Sequence, residues 1–143
     1  KVVRLKPALP DINMLFMNEA EARALTGQTV EDASDWPRHL AALGLRGGVI
    51  TSGARQVVAF SERETAVLRP PLIEAVRDVT GAGDAMASGY LAATLRKEPP
   101  SQALRWGAAA AAITVQSPSA TASELDPQTM DAMLALVPPA EMV

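Results

Sequence analysis

The sequence predicts an α/β fold in which helices pack on a largely parallel sheet. Apolar segments suited to strands alternate with segments suited to helices along the chain. Two predicted strands, at 49–51 and 57–60, are separated only by a short polar turn. A glycine turn at 81–83 joins a short apolar segment to a long helix of small residues. The 143 residues are enough for one domain with a hydrophobic core.

The first part of the chain is predicted to contain one strand and three helical segments. Residues 1–9 have the character of a helix tail, which nearby prolines end. Residues 12–17 are predicted as a buried strand, and the helix at 18–27 stops at Gly27. Residues 32–43 are predicted as an amphipathic helix.

The rest of the chain is predicted to contain four more strands and three longer helices. The strands are placed at 49–51, 57–60, 65–68 and 72–76. The helices are placed at 85–95, at about 102–115 with Ser101 as N-cap, and at 127–136 after Asp126.

Composition restricts the class of protein. Hydrophobic residues make up 48% of the chain and the formal net charge is -3. A nucleic-acid-binding protein would instead show a basic face. No apolar run approaches the roughly 20 residues that span a bilayer. The chain has no cysteine, which excludes disulfides and thiolate metal ligands and is consistent with a cytoplasmic location.

Residues 78–84, with the sequence Asp-Val-Thr-Gly-Ala-Gly-Asp, carry the main chemical signal. The glycines permit a tight turn, and the first amides of the following helix lack intrahelical acceptors, which favours an anion such as phosphate. Asp84 would repel a resting phosphate, but it could accept the proton of an attacking hydroxyl during phosphoryl transfer. An ordinary strand-to-helix turn, with Asp84 as a helix-end charge, explains the same residues.

This heptapeptide, followed by a small-residue helix, resembles the C-terminal signature of the ribokinase family, also called PfkB carbohydrate kinases. With its flanking elements, the resemblance extends over nearly the whole chain. It implies a ribokinase-like, three-layer α/β/α fold. It also implies that Asp84 is the catalytic base, and that Gly81, Ala82 and Gly83 form the anion hole for the transferred phosphoryl group.

Asn18 and Glu21 have two interpretations. Their spacing is that of a capping box, in which Asn is the N-cap and Glu reaches back to the cap amide. The family resemblance implies a second role, because the family carries an Asn-x-x-Glu motif at this place that is associated with Mg²⁺ and phosphate. Oxygen ligands of this kind suit Mg²⁺. Both roles can coexist.

The resemblance also implies a site for ATP. Residues 51–56 are similar to the family's Thr-x-Gly-x-x-Gly nucleotide loop, so that Thr51 and Gly53 would contact ATP, although Gln56 replaces the final glycine. A plain β-hairpin is the alternative. Ala108 lies on the helix that borders the adenine pocket in this family, where many members have a polar side chain. Close packing of helices also explains its alanine-rich surroundings.

A monovalent cation such as K⁺ is a further expectation from the resemblance. In several family members the Asp-x-Thr of the signature and a later polar loop bind such an ion. The matching residues here are Asp78, Thr80, Thr114, Ser117, Ser119 and Ser123. The alternative for the loop is a surface linker.

The resemblance implies an ATP-dependent kinase that phosphorylates a hydroxymethyl group of a sugar or nucleoside. Residues 114–118 are most similar to the pseudouridine kinase branch, ahead of ribokinase or fructokinase. The alternatives are a kinase of a hydroxymethylpyrimidine or a sugar phosphate, and a non-catalytic nucleotide-binding regulator.

The signature, which lies late in kinases of this family, begins here at Asp78. Residues 1–143 are therefore expected to be the C-terminal, nucleotide-binding and catalytic part of a single kinase domain. The family's N-terminal half holds the acceptor and a lid that often makes a homodimer, so this segment alone is expected to be inactive.

Overall fold

A mixed β-sheet forms the middle layer of the fold. The computed structural model describes residues 2–118 and 125–143. Within these residues the sheet has five strands in the order β1-β2-β3-β4-β5. The strands are β1 (Leu15–Asn18), β2 (Gly48–Thr51), β3 (Val57–Phe60), β4 (Thr65–Leu68) and β5 (Glu141–Met142). The helices are α1 (Glu19–Thr26), α2 (Trp36–Ala41), α3 (Ala82–Leu95), α4 (Pro100–Gln116) and α5 (Pro127–Leu136).

Parallel pairing is confined to one side of this sheet. β1 pairs parallel with β2, whereas β2 with β3, β3 with β4 and β4 with β5 are antiparallel. Residues 52–56 and 61–64 make the two hairpin connections. Connections this short join antiparallel neighbours, because a parallel crossover needs about a dozen residues or more. The α/β class is confirmed, but the expectation of a largely parallel sheet is wrong for the described residues.

The two faces of the sheet pack into separate hydrophobic clusters. Successive residues of β3 alternate between them: Val57 and Ala59 belong to one cluster, and Val58 and Phe60 to the other. The first cluster also contains buried residues of α3, α4 and α5. The second contains buried residues of α1 and α2, including Trp36. Helices therefore cover both faces, which confirms the three-layer arrangement.

Three differences between the predicted and observed elements occur at prolines. The chain opens with a 3₁₀ helix, Val2–Asp11, that contains Pro7 and Pro10 instead of ending before them. Pro99, not Ser101, is the N-cap of α4, with Pro100 as its first residue. The strand predicted at 72–76 is absent, and the segment after Pro70 and Pro71 is irregular.

The helix predicted at 32–43 is divided into a 3₁₀ turn, Ala33–Asp35, and the shorter α2. Asp32 caps the 3₁₀ turn, since its side chain accepts a hydrogen bond from the Ser34 amide. The predicted helix after Asp126 is confirmed as α5, whose N-cap side chain accepts from the Thr129 amide at 2.9 Å. No helix in the described residues is long and apolar enough to cross a membrane.

Helices α3 and α4 make the most extensive helix contact, at two buried glycines. A Cβ atom on Gly89 would lie 2.7 Å from the Trp106 carbonyl oxygen, and one on Gly107 would lie 2.8 Å from the Met86 carbonyl oxygen. The absence of side chains at these positions lets the two backbones approach closely. Arg96 of α3 stacks on the Trp106 ring, with its guanidinium carbon 4.6 Å from the ring centroid.

Candidate active site

The parallel pair of strands brings two predicted site residues together. Asn18 and Thr51 are the last residues of β1 and β2, and they are partners in the strand register. Both therefore lie at the carboxyl end of the parallel pair, which is where open α/β sheets usually bind ligands. The turn that contains Gly53 follows Thr51 directly. Gly53 has a φ of 61°, a value that favours glycine.

Asn18 and Glu21 form the predicted capping box. The Asn18 side-chain oxygen accepts from the Glu21 amide at 2.9 Å, and Glu21 Oε2 accepts from the Asn18 amide at 2.8 Å. The structural interpretation is thus confirmed. Each side chain keeps acceptor capacity, because a carboxylate and an amide oxygen accept more than one hydrogen bond. The pair can therefore cap α1 and still offer oxygen atoms to a cation.

The glycine turn produces the start of α3. Gly81 is the N-cap, and its φ of 82° lies in the left-handed region. The Ala82 amide donates to the Val79 carbonyl at 3.2 Å, so this amide is engaged in the turn. Among the described residues, the amides of Gly81, Gly83 and Asp84 have no acceptor. The predicted anion hole is therefore limited to these amides in this conformation, and Ala82 does not contribute one.

The aspartate at the start of the signature organises the turn. Asp78 Oδ1 accepts from the Thr80 amide at 2.8 Å, and this hydrogen bond holds the pKa of the Asp78 carboxyl below its usual value. The amides of Arg77 and Asp78 both donate to the Val115 carbonyl, at 2.8 and 3.4 Å. These bonds attach the signature segment to the C-terminal end of α4.

The predicted monovalent-cation residues come from these two attached segments. Thr114 and Ser117 are buried at the end of α4. The Thr114 hydroxyl donates to the Ala110 carbonyl at 2.9 Å, which leaves its oxygen available as an acceptor. Ser119 and Ser123 lie outside the described residues.

A cavity of about 410 Å³ joins the strand ends to the glycine turn. Six predicted site residues contribute to its wall: Asn18, Thr51, Gly53, Ala82, Gly83 and Ala108. A volume of this size is typical of a small-molecule site. The structure thus brings the predicted nucleotide residues, one predicted metal residue and part of the glycine turn to one cavity.

Asp84 does not line this cavity. It follows Gly83 on the first turn of α3 and is exposed to solvent. Asp84 is therefore adjacent in sequence to a residue of the cavity wall but is not part of that wall. Gly81, Glu21, Asp78, Thr80, Thr114 and Ser117 are also absent from the wall.

Sequence reasoning missed much of the apolar wall. Leu72, Ile73 and Val76 line the cavity, although they were predicted as a strand. Leu72 is 89% exposed, so it does not pack in the interior. The preceding Pro70 and Pro71 were the available signal, because proline cannot donate to a strand ladder.

An ion pair between the turn after β2 and the start of α1 was also missed. Arg55, in the turn after Thr51, contacts Glu19 at 2.5 Å between Nη2 and Oε2. Glu19 also lies 3.8 Å from Arg23. The pair connects the turn that follows β2 to the start of α1. Nothing in the local sequence indicates which carboxylate Arg55 would meet.

These features define a ribokinase-like α/β protein with a nucleotide-sized cavity at its strand ends. Residues 2–127 match the family model of the pfkB family carbohydrate kinases. The chain therefore belongs to this family, as its signature indicated.

Curated relatives and solved structures agree with this assignment. A Haemophilus influenzae ribokinase is 31% identical over 115 residues, which cover 78% of this chain and 37% of that protein. A Thermococcus kodakarensis cytidine kinase is 37% identical over 105 residues, which cover 72% of this chain and 37% of that protein. A carbohydrate kinase from Agrobacterium tumefaciens is 60% identical, with a TM-score of 0.83, and the match covers 99% of this chain and 45% of that one.

A structure of Arabidopsis thaliana ribokinase complexed with ribose and ATP is 26% identical, with a TM-score of 0.81. The match covers 90% of this chain and 43% of that one. The chain therefore spans less than half the length of the relatives it matches.

Proposed function

We propose that the complete protein is an ATP-dependent kinase that phosphorylates a hydroxymethyl group of a sugar or nucleoside. In this proposal, residues 1–143 supply the nucleotide-binding and catalytic part of one kinase domain. The cavity carries the proposal, because the strand-end residues Asn18 and Thr51 and the glycine-turn residue Gly83 share its wall. Family membership, together with relatives named ribokinase and cytidine kinase, supports the same reaction class.

ATP would occupy the cavity with its base and ribose near Thr51, Gly53 and Ala108 and its phosphates toward Gly83. The amides of Gly81, Gly83 and Asp84 would donate to the oxygens of the transferred phosphoryl group, at the positive end of the α3 dipole. Such donors act most strongly on charge that is spread over these oxygens in the transition state.

Asp84 would act as the base. The acceptor oxygen attacks the γ-phosphorus in line with the leaving oxygen, so the acceptor approaches from the side away from ADP. A base for this step belongs at the phosphoryl end and outside the nucleotide cavity, which is consistent with the exposed position of Asp84. As the new O–P bond forms and the bond to ADP breaks, the acceptor proton passes to the Asp84 carboxylate.

Asn18 and Glu21 fit a role in holding Mg²⁺. The capping box engages Glu21 Oε2, which leaves Oε1 as a ligand for the ion or its bound water. Mg²⁺ would neutralise charge on the phosphates. For a monovalent cation such as K⁺, the proposed ligands are Asp78, Thr80, Thr114 and Ser117, with Ser119 and Ser123 from the following loop.

The acceptor is proposed to be a ribose-like or fructose-like sugar or a nucleoside. The named relatives support this class, since they include ribokinases and a cytidine kinase. Within the class, the sequence at 114–118 favours pseudouridine. A cytoplasmic homodimer, formed through the lid of the N-terminal half, completes the proposal.

Replacement of Asp84 by Asn in the complete protein tests the assignment of the base. We expect kcat to fall by about 100-fold or more, the range that a lost general base produces. KM for ATP should change little, because Asp84 lies outside the nucleotide cavity. Asp131→Asn, at an exposed position on α5, is the matched control and should retain activity. Activity of Asp84→Asn within a few-fold of the wild type would remove Asp84 as the base.

A further inference from the structure

The nucleotide cavity has very few polar side chains in its described wall. Asn18 and Thr51 are the only polar ones, and both lie at strand ends. Elsewhere the described wall consists of glycine, alanine, proline, valine and larger apolar residues. The part of the cavity beyond the strand ends is therefore apolar in its side chains.

The backbone of α4 cannot replace the missing polar side chains. Ala108, Ala111 and Ala112 line the cavity from the middle of this helix, where amides and carbonyls bond to one another. The Ala112 carbonyl also accepts from the Gln116 side chain at 2.8 Å. At the end of the helix, the Val115 carbonyl accepts the amides of Arg77 and Asp78.

The residues that line the cavity opposite α4 are equally poor in polar side chains. Pro70 and Pro71 line the cavity and have no amide hydrogen to donate. Leu72, Ile73 and Val76 add only apolar side chains to the wall. An aromatic base would thus meet hydrocarbon on its faces, with few polar side chains along its edge.

Base selectivity depends on groups along that edge. A site whose buried polar groups pair with one base rejects another base strongly, because the wrong base leaves those groups unpaired. An apolar pocket has no such groups to leave unpaired, and it discriminates weakly between rings of equal size. Adenine, guanine and hypoxanthine have the same ring area and differ mainly in their edge groups.

We propose that this cavity accepts purine nucleoside triphosphates as a class, holding the base by shape and apolar contact and not by its edge. This inference rests on the proposed kinase function and defines its phosphoryl donor more closely. ATP, GTP and ITP should serve as donors with kcat/KM values within about tenfold of each other. CTP and UTP should be poorer, since a single ring buries less apolar area.

The test is a donor series on the complete protein with one saturating acceptor and Mg²⁺. Values of kcat/KM for ATP, GTP and ITP within about tenfold of each other would support the proposal, and a larger preference for ATP would overturn it. The dissociation constants of ADP, GDP and IDP, measured by calorimetry, should show the same narrow range without requiring turnover. Failure of every donor to transfer, with normal diphosphate binding, would count against the kinase function alone.

A pair of variants tests whether α4 is the wall that contacts the base. Ala111→Asn places an amide in the cavity at a half-buried position, whereas Ala92→Asn places one on an exposed position of α3 outside it. Ala111→Asn should change the ATP to GTP ratio of kcat/KM, and Ala92→Asn should leave it as in the wild type. If both variants keep the wild-type ratio, the base does not lie against α4 and the proposal fails.

Discussion

Gly83 lies in the first turn of α3, and Gly107 lies in α4 where it crosses α3. The two positions differ in what a Cβ atom added to the glycine would contact. At Gly83 nothing lies within 4 Å of that position. At Gly107 the same atom would collide with the Met86 sulfur and lie 2.8 Å from the Met86 carbonyl oxygen. Gly107 is therefore required by the packing of the fold.

Gly83, in contrast, is not required by packing, because the space beside it is open. No described neighbour fills it, and Gly83 lines the cavity. The backbone there is available for close approach by a ligand, as the proposed phosphoryl site requires. Helix α4 thus contains a glycine that the packing needs, whereas α3 contains a glycine that only the proposed ligand would need.

Gly107→Ala should produce the largest change in stability. The clash with the Met86 backbone requires the two helices to separate, and overpacking of this kind costs about 1–3 kcal/mol. The higher helix propensity of alanine offsets about 0.5–1 kcal/mol of this cost. We expect a net loss of roughly 1–2 kcal/mol in the free energy of unfolding, measured by urea denaturation of the complete protein. An unchanged midpoint would show that α3 and α4 can shift without penalty.

Gly83→Ala is the matched substitution without a clash. The free energy of unfolding should stay within about 0.5 kcal/mol of the wild type, because the new methyl group meets open space. Turnover should fall by about tenfold or more, since the methyl group lies where the phosphoryl group must approach the amides. The opposite pattern, with full activity and lower stability, would reverse the comparison between the two glycines.

The smallest expected effect concerns Asp78 in the glycine turn. Its carboxyl pKa is lowered by the hydrogen bond from the Thr80 amide. The bond therefore stabilises the fold at pH values above the ordinary value of 3.8, and this contribution is lost as the pH falls through the lowered pKa. NMR titration of Asp78 should give a midpoint below 3.8. A midpoint at or above that value would mean that the turn is not held by this bond.

Local signals in the sequence predicted local structure well. The capping box of Asn18 and Glu21 and the cap at Asp126 were recognised because their partners lie three residues away. The glycine turn before α3 was recognised for the same reason, since its geometry depends on adjacent residues. Family resemblance then supplied the proposed roles of the site residues, which the residues alone left open.

Long-range choices were not predictable in the same way. The amides of Arg77 and Asp78 bond to Val115, and the apolar segment before them does not join the sheet. Leu72 and its apolar neighbours suit a strand locally, and only the tertiary structure shows that they line a cavity. The pairing of Arg55 with Glu19 likewise depends on how the turn after β2 meets α1.

Because the two hydrophobic clusters are separate, tryptophan fluorescence can report on each side of the sheet independently. Trp36 belongs to one cluster, and Trp106 packs against the other. The chain has no other tryptophan, so replacing either one by phenylalanine leaves a single tryptophan within this chain. Fluorescence of the two variants can then report whether the layers melt together or one after the other.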